Sequence, residues 1–308
     1  MVNYNVHWMG LLCNVDSSIL ELKLPQGFEI KYFTEEEAIP HLLEVGKISE
    51  YRDATKFYWD YPCINTDEKR LYYITRTETL DLDLTEDGRL KALIIGETEG
   101  LYNKHIRKII RSLRLYKDGD IRIPMDYTYF EHQGKLRSHM TRATSAFVSR
   151  VKFHLTKEDF KDLYAFFNIQ LPLTPPFLEL AFKNYERSYE TQNPALAFLA
   201  LIISLEILYN PGGGEISFRI SRNCAVLLGS SKNESDAIFK DIRRIYKIRS
   251  NMVHTGDTSK CDDELVKTVR HYVRESIKKM NQLGESKQKI LEKINTLGFG
   301  EINSYEEG

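Results

Sequence analysis

Hydrophobic and polar positions alternate with a period of two through much of the first half of the chain. The segment 29–33, EIKYF, follows that rhythm. In 71–84, Leu80, Leu82 and Leu84 fall on one side with Asp81 and Asp83 on the other, the pattern of a half-buried strand. Glu86, Asp87 and Gly88 then supply a turn, and 89–95 reads as the return strand of a hairpin. A second turn signal, Lys117-Asp118-Gly119-Asp120, precedes IRIP at 121–124. Between the two turns the rhythm becomes helical over 102–115, where Ile106, Ile109, Ile110 and Leu113 share one stripe. Strands mixed with a helix predict an α+β domain over 1–150.

Beyond residue 150 strand signals nearly vanish. Thr156 with Asp159 resembles a capping box, and Phe160, Leu163, Tyr164 and Phe167 follow at helical spacing. Pro172, Pro175 and Pro176 punctuate the entry to a run of helices predicted near 176–190, 193–209, 217–229, 233–254, 262–282 and 285–296. An all-α bundle is therefore expected over 151–300, with 301–308 as a flexible polar tail. No internal repeat is visible.

Composition narrows the classes. The 308 residues exceed what one compact core usually holds, and 42% hydrophobic with 28% charged side chains describes a globular protein. Lys plus Arg number 43 against 44 Asp plus Glu, a formal net charge of -1, so any affinity for nucleic acid must be local. Residues 1–18 lack a basic leader, and their Asn, His and Asp residues break a signal-peptide pattern. The longest apolar run, 195–208, contains Glu206 and is shorter than the ~20 residues a membrane span needs. These features predict a cytoplasmic protein with no membrane segment. Cys13, Cys63, Cys224 and Cys261 are scattered without a CxxC pair and read as buried or idle thiols.

Chemistry concentrates in the helix predicted near 233–254. Ile238, Ile242 and Ile245 form its apolar stripe, which brings Arg249 onto the same face, where a cation needs a partner. Glu206, the acid inside the apolar 195–208 run, needs one as well, with Arg249 or Arg222 available. His254 comes five residues after Arg249 and is followed by Thr255 and Gly256, so it sits at a helix end that Gly can cap.

The string Arg249-Ser-Asn-Met-Val-His254 resembles the R-x4-6-H motif of HEPN domains, and the Apea-like subgroup in particular. The helix ALAFLALIISLEILYN with Glu206, the helix FRISRNCAVLLG with Arg222, and their order before the motif are similar to that subgroup. The likeness covers roughly 176–280, and SLRLYKDGDI at 112–121 resembles what precedes such domains in some members. Ser250 stands where that family more often has Asn, Asp or His.

The resemblance implies an all-α HEPN-type bundle that forms a homodimer through the helical domain with its two motifs facing one another. In active members it implies an RNase that needs no metal or other cofactor. Elementary chemistry agrees. RNA carries its own nucleophile, so cleavage needs a base, an acid and a cation near the phosphate. His254 is cast as general acid/base and Arg249 as transition-state stabiliser, with Ser250, Asn251 and Glu206 in support. A toxin or antiphage defence effector, with an antitoxin or trigger protein as partner, follows by family analogy alone. Three other readings use the same residues: an inactive HEPN dimer that binds RNA or a nucleotide, an interaction scaffold, and a purely structural Arg249–Glu206 pair with His254 favoured by the helix dipole.

Other motifs carry less. Lys104, Arg107, Lys108, Arg111, Arg114 and Lys117 occur with no acid between 100 and 117, which reads either as an RNA-guiding patch or as a solvated helix face. Asp81 and Asp83 read as the wet side of a strand rather than metal ligands. The Pro211-Gly-Gly-Gly214 loop lacks the ending of a phosphate-binding loop, and no GxSxG, HExxH or Rossmann fingerprint occurs. His105, His132, His139, His154 and His271 form no ligand spacing, so no metal site is expected.

Overall fold

The computed structural model describes residues 2–34, 36–38, 40–41, 64–65, 67–82, 96, 102–132, 134–143, 151–210, 212 and 214–302. The predicted 86–88 turn, the 89–95 strand, Leu84, Asp83 and Cys63 lie outside them. The chain divides into two compact units, Met1–Ile169 and Gln170–Gly308.

The first unit is built on an antiparallel sheet of β1 (Val2–Cys13), β2 (Glu29–Thr34), β3 (Ile64–Asn65), β4 (Arg70–Leu82), β5 (Arg122–His132) and β6 (Lys135–Ala143). The order is β2-β4-β1-β5-β6, with β3 also paired to β4. Strand β1 lies between β4 and β5 and, from Trp8 onward, is apolar on both faces. Trp8 and Leu12 enter one buried cluster, while Met9, Leu11 and Cys13 enter another on the opposite face. A strand covered on both sides loses its alternation, and from Trp8 to Cys13 β1 reads as one continuous apolar run, whereas Val2 to His7 alternate. The Trp8 indole folds over Gly10, where a Cβ would meet the ring at 2.6 Å, and its N–H donates to Asp126 at 3.1 Å.

Helix α1 (Arg107–Tyr116), entered through a π turn at Tyr102–Ile106, buries Ile106, Ile109, Ile110 and Leu113 against the sheet, the stripe its periodicity predicted. The sequence suggested a boundary near 150, but helix α2 (Asp159–Phe166) belongs to the first unit. Leu163 and Phe167 complete the cluster containing Trp8, and the Tyr116 hydroxyl donates to the Asp159 carbonyl at 3.0 Å. Cys13 is buried, but it is disulfide-bonded where a free thiol was expected.

The second unit is helical: α3 (Pro176–Arg187), α4 (Pro194–Tyr209), α5 (Ile216–Leu228), α6 (Lys232–Thr255), α7 (Asp263–Leu283) and α8 (Lys287–Thr296). Local chemistry sets the ends. Asn193, Ser231 and Asp262 accept from backbone N–H groups in the first turns of α4, α6 and α7, and Gly256 and Gly284 close α6 and α7 with φ of 73° and 65°. Helix α3 pairs with α4 and α5 with α6, while α7 packs across α3, α4 and α5. The α7 cation Arg270 is buried but satisfied, donating to the Ser188 hydroxyl at 2.9 Å and carbonyl at 2.5 Å and lying 4.0 Å from the centre of the Tyr189 ring. The expected tail is shorter at its start, because Ile302 is buried and Glu301 accepts from the Gly298 N–H. Among the described residues no helix is long and apolar enough to cross a membrane.

Asp159 gives the first unit a pH-sensitive fastening. Burial pushes its pKa up, but hydrogen bonds from Lys117 at 2.5 Å and from the Thr156 N–H and hydroxyl at 2.6 and 2.8 Å more than offset that, holding the carboxyl below its usual value. A depressed folded pKa gives stability that is complete above the unfolded value, about 3.9 for Asp, and lost as pH falls through the folded one. Asp159→Asn is expected to lower stability at neutral pH and to shrink the acid-induced loss. Chemical denaturation of both proteins at pH 7 and pH 3 measures it, and equal differences at the two values would refute it.

Candidate functional site

Helix α6 presents three different faces, and the candidate residues divide between them. Ile238, Ile242 and Ile245 are buried inward. Arg249 continues that stripe by one turn but reaches the edge of the bundle, where its side chain is 37% exposed and its guanidinium lies 3.6 Å from the Glu206 carboxylate of α4, itself 30% exposed. Glu206 thus finds Arg249 and not Arg222. The latter caps the end of α8 by donating to the carbonyls of Ile294, Asn295 and Leu297 at 3.2, 3.4 and 2.8 Å. Solvent screens a pair this open and this long, which contributes about 0–1 kcal/mol. Arg249 is therefore placed at the bundle edge but only weakly held.

His254 lies in the last turn of α6 and is exposed, as are Ser250 and Asn251. Five residues of helix separate Arg249 from His254, about 140° around the axis and about 7.5 Å along it. Within one chain the two side chains leave α6 in different directions. Ser250, four residues before His254, shares its face. The Thr255 hydroxyl donates to the Asn251 carbonyl at 2.7 Å, and the Gly256 N–H to the Met252 carbonyl at 3.0 Å. That closing turn fixes the backbone beneath the imidazole.

The surroundings are apolar. Leu196 and Ile203, seven residues apart on α4, are 55% and 47% exposed, and Ile203 lies one turn before Glu206. Val253, one turn beyond Arg249, is 54% exposed. The Glu206–Arg249 pair thus has uncovered aliphatic side chains next to it on both helices.

Tyr246 went unnoticed in the sequence, where it looked like another core aromatic. It lies one turn before Arg249, is buried, and its hydroxyl has no hydrogen-bond partner among the described residues. Burial, reinforced by the nearby Glu206 charge, pushes its pKa far up, so it stays protonated. Cys224 is also buried, and desolvation raises its thiol to about 12, leaving it unreactive.

The basic helix does not form the single surface its sequence suggested. Lys104, Arg107 and Lys108 face solvent at least partly, but Arg111 is buried. Arg114 donates to the Ile121 carbonyl at 3.0 Å and lies 3.8 Å from Asp120, and Lys117 is held by Asp159. The compensating acids come from later in the chain. Among the described residues, no group of three or more His, Cys, Asp or Glu is arranged to hold a metal ion. No family model, curated protein or solved structure matches the chain.

Because the Tyr246 hydroxyl is buried without a partner, Tyr246→Phe removes a desolvation cost and no hydrogen bond. The variant is expected to be as stable as the wild type or more stable by up to about 1 kcal/mol. Thermal melting tests this, and a loss above about 1 kcal/mol would show that the hydroxyl makes a bond the fold needs.

Proposed function

We propose that the helical unit is a HEPN-type domain and that the protein is a metal-independent endoribonuclease acting as a homodimer. The observation that carries this reading is the loosely held Arg249 about one and a half turns before an exposed His254 at a glycine-capped helix end, with uncovered Leu196, Ile203 and Val253 on the same two helices as the Glu206–Arg249 pair. A second copy covering these side chains in an isologous contact buries them and draws two sets of Arg249 and His254 together. That arrangement answers the divergence of the two side chains within one chain.

In this mechanism the ribose 2′-hydroxyl attacks the adjacent phosphorus as an imidazole takes its proton. The bond to the 5′-oxygen breaks as a protonated imidazole returns one, leaving a 2′,3′-cyclic phosphate and a 5′-hydroxyl. Two His254 side chains supply base and acid, and Arg249 stabilises the charge that gathers on the phosphoryl oxygens. Ser250 and Asn251 orient the phosphate. A role as toxin or defence effector, with an antitoxin or trigger protein as partner, remains an extension by family likeness. The second reading, an inactive dimer that binds RNA or a nucleotide, is favoured by the Glu206–Arg249 pair if it holds in the presence of substrate.

Cleavage of a mixed tRNA and mRNA pool in excess EDTA tests the proposal. His254→Ala and Arg249→Ala are each expected to lower the rate by about 10²–10⁴-fold, with cyclic phosphate ends from the wild type and dimerisation intact. Normal cutting by both variants would overturn the site, and salt-sensitive RNA binding without product would favour the inactive dimer. Separately, Ile203→Asp is expected to yield a folded monomer that cleaves poorly. A fully dimeric Ile203→Asp protein in sedimentation would show that the contact lies elsewhere.

A further inference from the structure

We infer that the cleft between the start of α5 and the middle of α6 is a subsite for single-stranded RNA, taking a base on Phe218 and a phosphate on Arg243. This inference rests on the ribonuclease reading and assigns its substrate a path.

The cleft has a volume of about 420 Å³ and is lined by Glu215, Ile216, Ser217, Phe218 and Arg243. Phe218 is 43% exposed, yet its ring is held in place. It meets Phe239 edge-on with centroids 5.8 Å apart and planes at 81°, and Phe239 in turn lies 5.7 Å from Phe299. A half-exposed aromatic ring braced by a neighbouring ring is a platform for a nucleobase, whose stacking needs no particular sequence. Arg243 is exposed and makes no ion pair or hydrogen bond among the described residues, whereas its neighbours Lys240 and Arg244 are held by Asp236 and Asp241 at 2.5 and 2.7 Å.

The cleft also lies in line with the candidate centre. Arg243, Lys247, Ser250 and His254 are all exposed and spaced by four, three and four residues, so they form one stripe along α6. From Arg243 to His254 the helix rises about 16 Å. Groups spread that far along one line suit successive phosphates of a polymer better than a single nucleotide. Glu215 opposes the phosphate, a repulsion that limits how tightly the cleft holds its ligand.

The test is fluorescence anisotropy with the full chain and a short fluorescein-labelled 2′-O-methyl RNA, which has no nucleophile and cannot be cut. Phe218→Ala is expected to weaken binding by about tenfold or more and Phe218→Trp to restore it. Arg243→Gln is expected to reduce the salt slope by about one, Glu215→Gln to tighten binding, and duplex RNA, with its base faces stacked away, to bind more weakly. If Phe218→Ala and Arg243→Gln, folded by circular dichroism, bind like the wild type, the subsite is wrong, while loss of cleavage in His254→Ala would still uphold the centre. If the wild type neither binds the probe nor cleaves RNA, both readings fall.

Discussion

Burial of helix α4 is the constraint around which the helical unit is arranged. Apart from Ser204 and Glu206, its sixteen residues from Pro194 to Tyr209 carry no side chain stronger in polarity than the terminal tyrosine. Phe198, Leu201, Ile202, Leu205 and Leu208 are almost wholly buried, and each contributes about 1.5–3 kcal/mol relative to exposure. Helix α3 covers one side, with the Ser204 hydroxyl donating to the Ala181 carbonyl at 2.9 Å, and α7 covers another, where the Tyr209 hydroxyl donates to Ser276 at 2.5 Å. Both polar groups on α4 are thereby given work. Ser204 ties it to α3, and Glu206, at the edge of the buried surface, meets Arg249.

The same constraint leaves a remainder. An apolar helix covered only in part exposes the rest, and Leu196 and Ile203 are that rest. They flank the edge where Arg249 emerges, so the features proposed for association and for chemistry share one origin. Helix α6 divides its labour by angle. Its inward isoleucines hold it to the bundle, its edge carries Arg249, and its outer stripe runs from Arg243 to His254. One helix thus links core, ion pair and candidate centre without any loop having to place a side chain.

The first unit follows a different logic. A central strand covered on both faces leaves little freedom to its neighbours, and α1 and α2 lie over one face. The cations of α1 serve this packing more than they serve the surface, since Arg111 is buried and Arg114 and Lys117 are fastened to residues beyond the helix. What remains toward solvent, Lys104, Arg107 and Lys108, is a smaller patch than the charge run implied.

The helical half was legible in the sequence because its signals are local. Apolar spacing gave the helices, and Gly256 marked the end of α6, since a cap is satisfied by neighbours three or four positions away. The pairing of Glu206 with a cation was legible too, as a charge within an apolar run demands one. Which cation was not. Choosing Arg249 over Arg222 depends on how α4, α5, α6 and α8 pack, and carbonyls at the end of α8 claimed the other. Strand β1 was missed although Val2 to Trp8 alternate, because its second half, buried on both faces, does not. The boundary moved past 150 because α2 completes a core begun at Trp8, and the basic run misled because Asp120 and Asp159 lie beyond it in the chain. The Tyr246 hydroxyl and the Phe218–Arg243 cleft had no signature at all. Sequence by itself determined the elements, whose energetics are settled between near neighbours. Only the tertiary structure decided which charges meet, which stay open to solvent and which faces remain uncovered, because those depend on groups far apart in the chain competing for the same space.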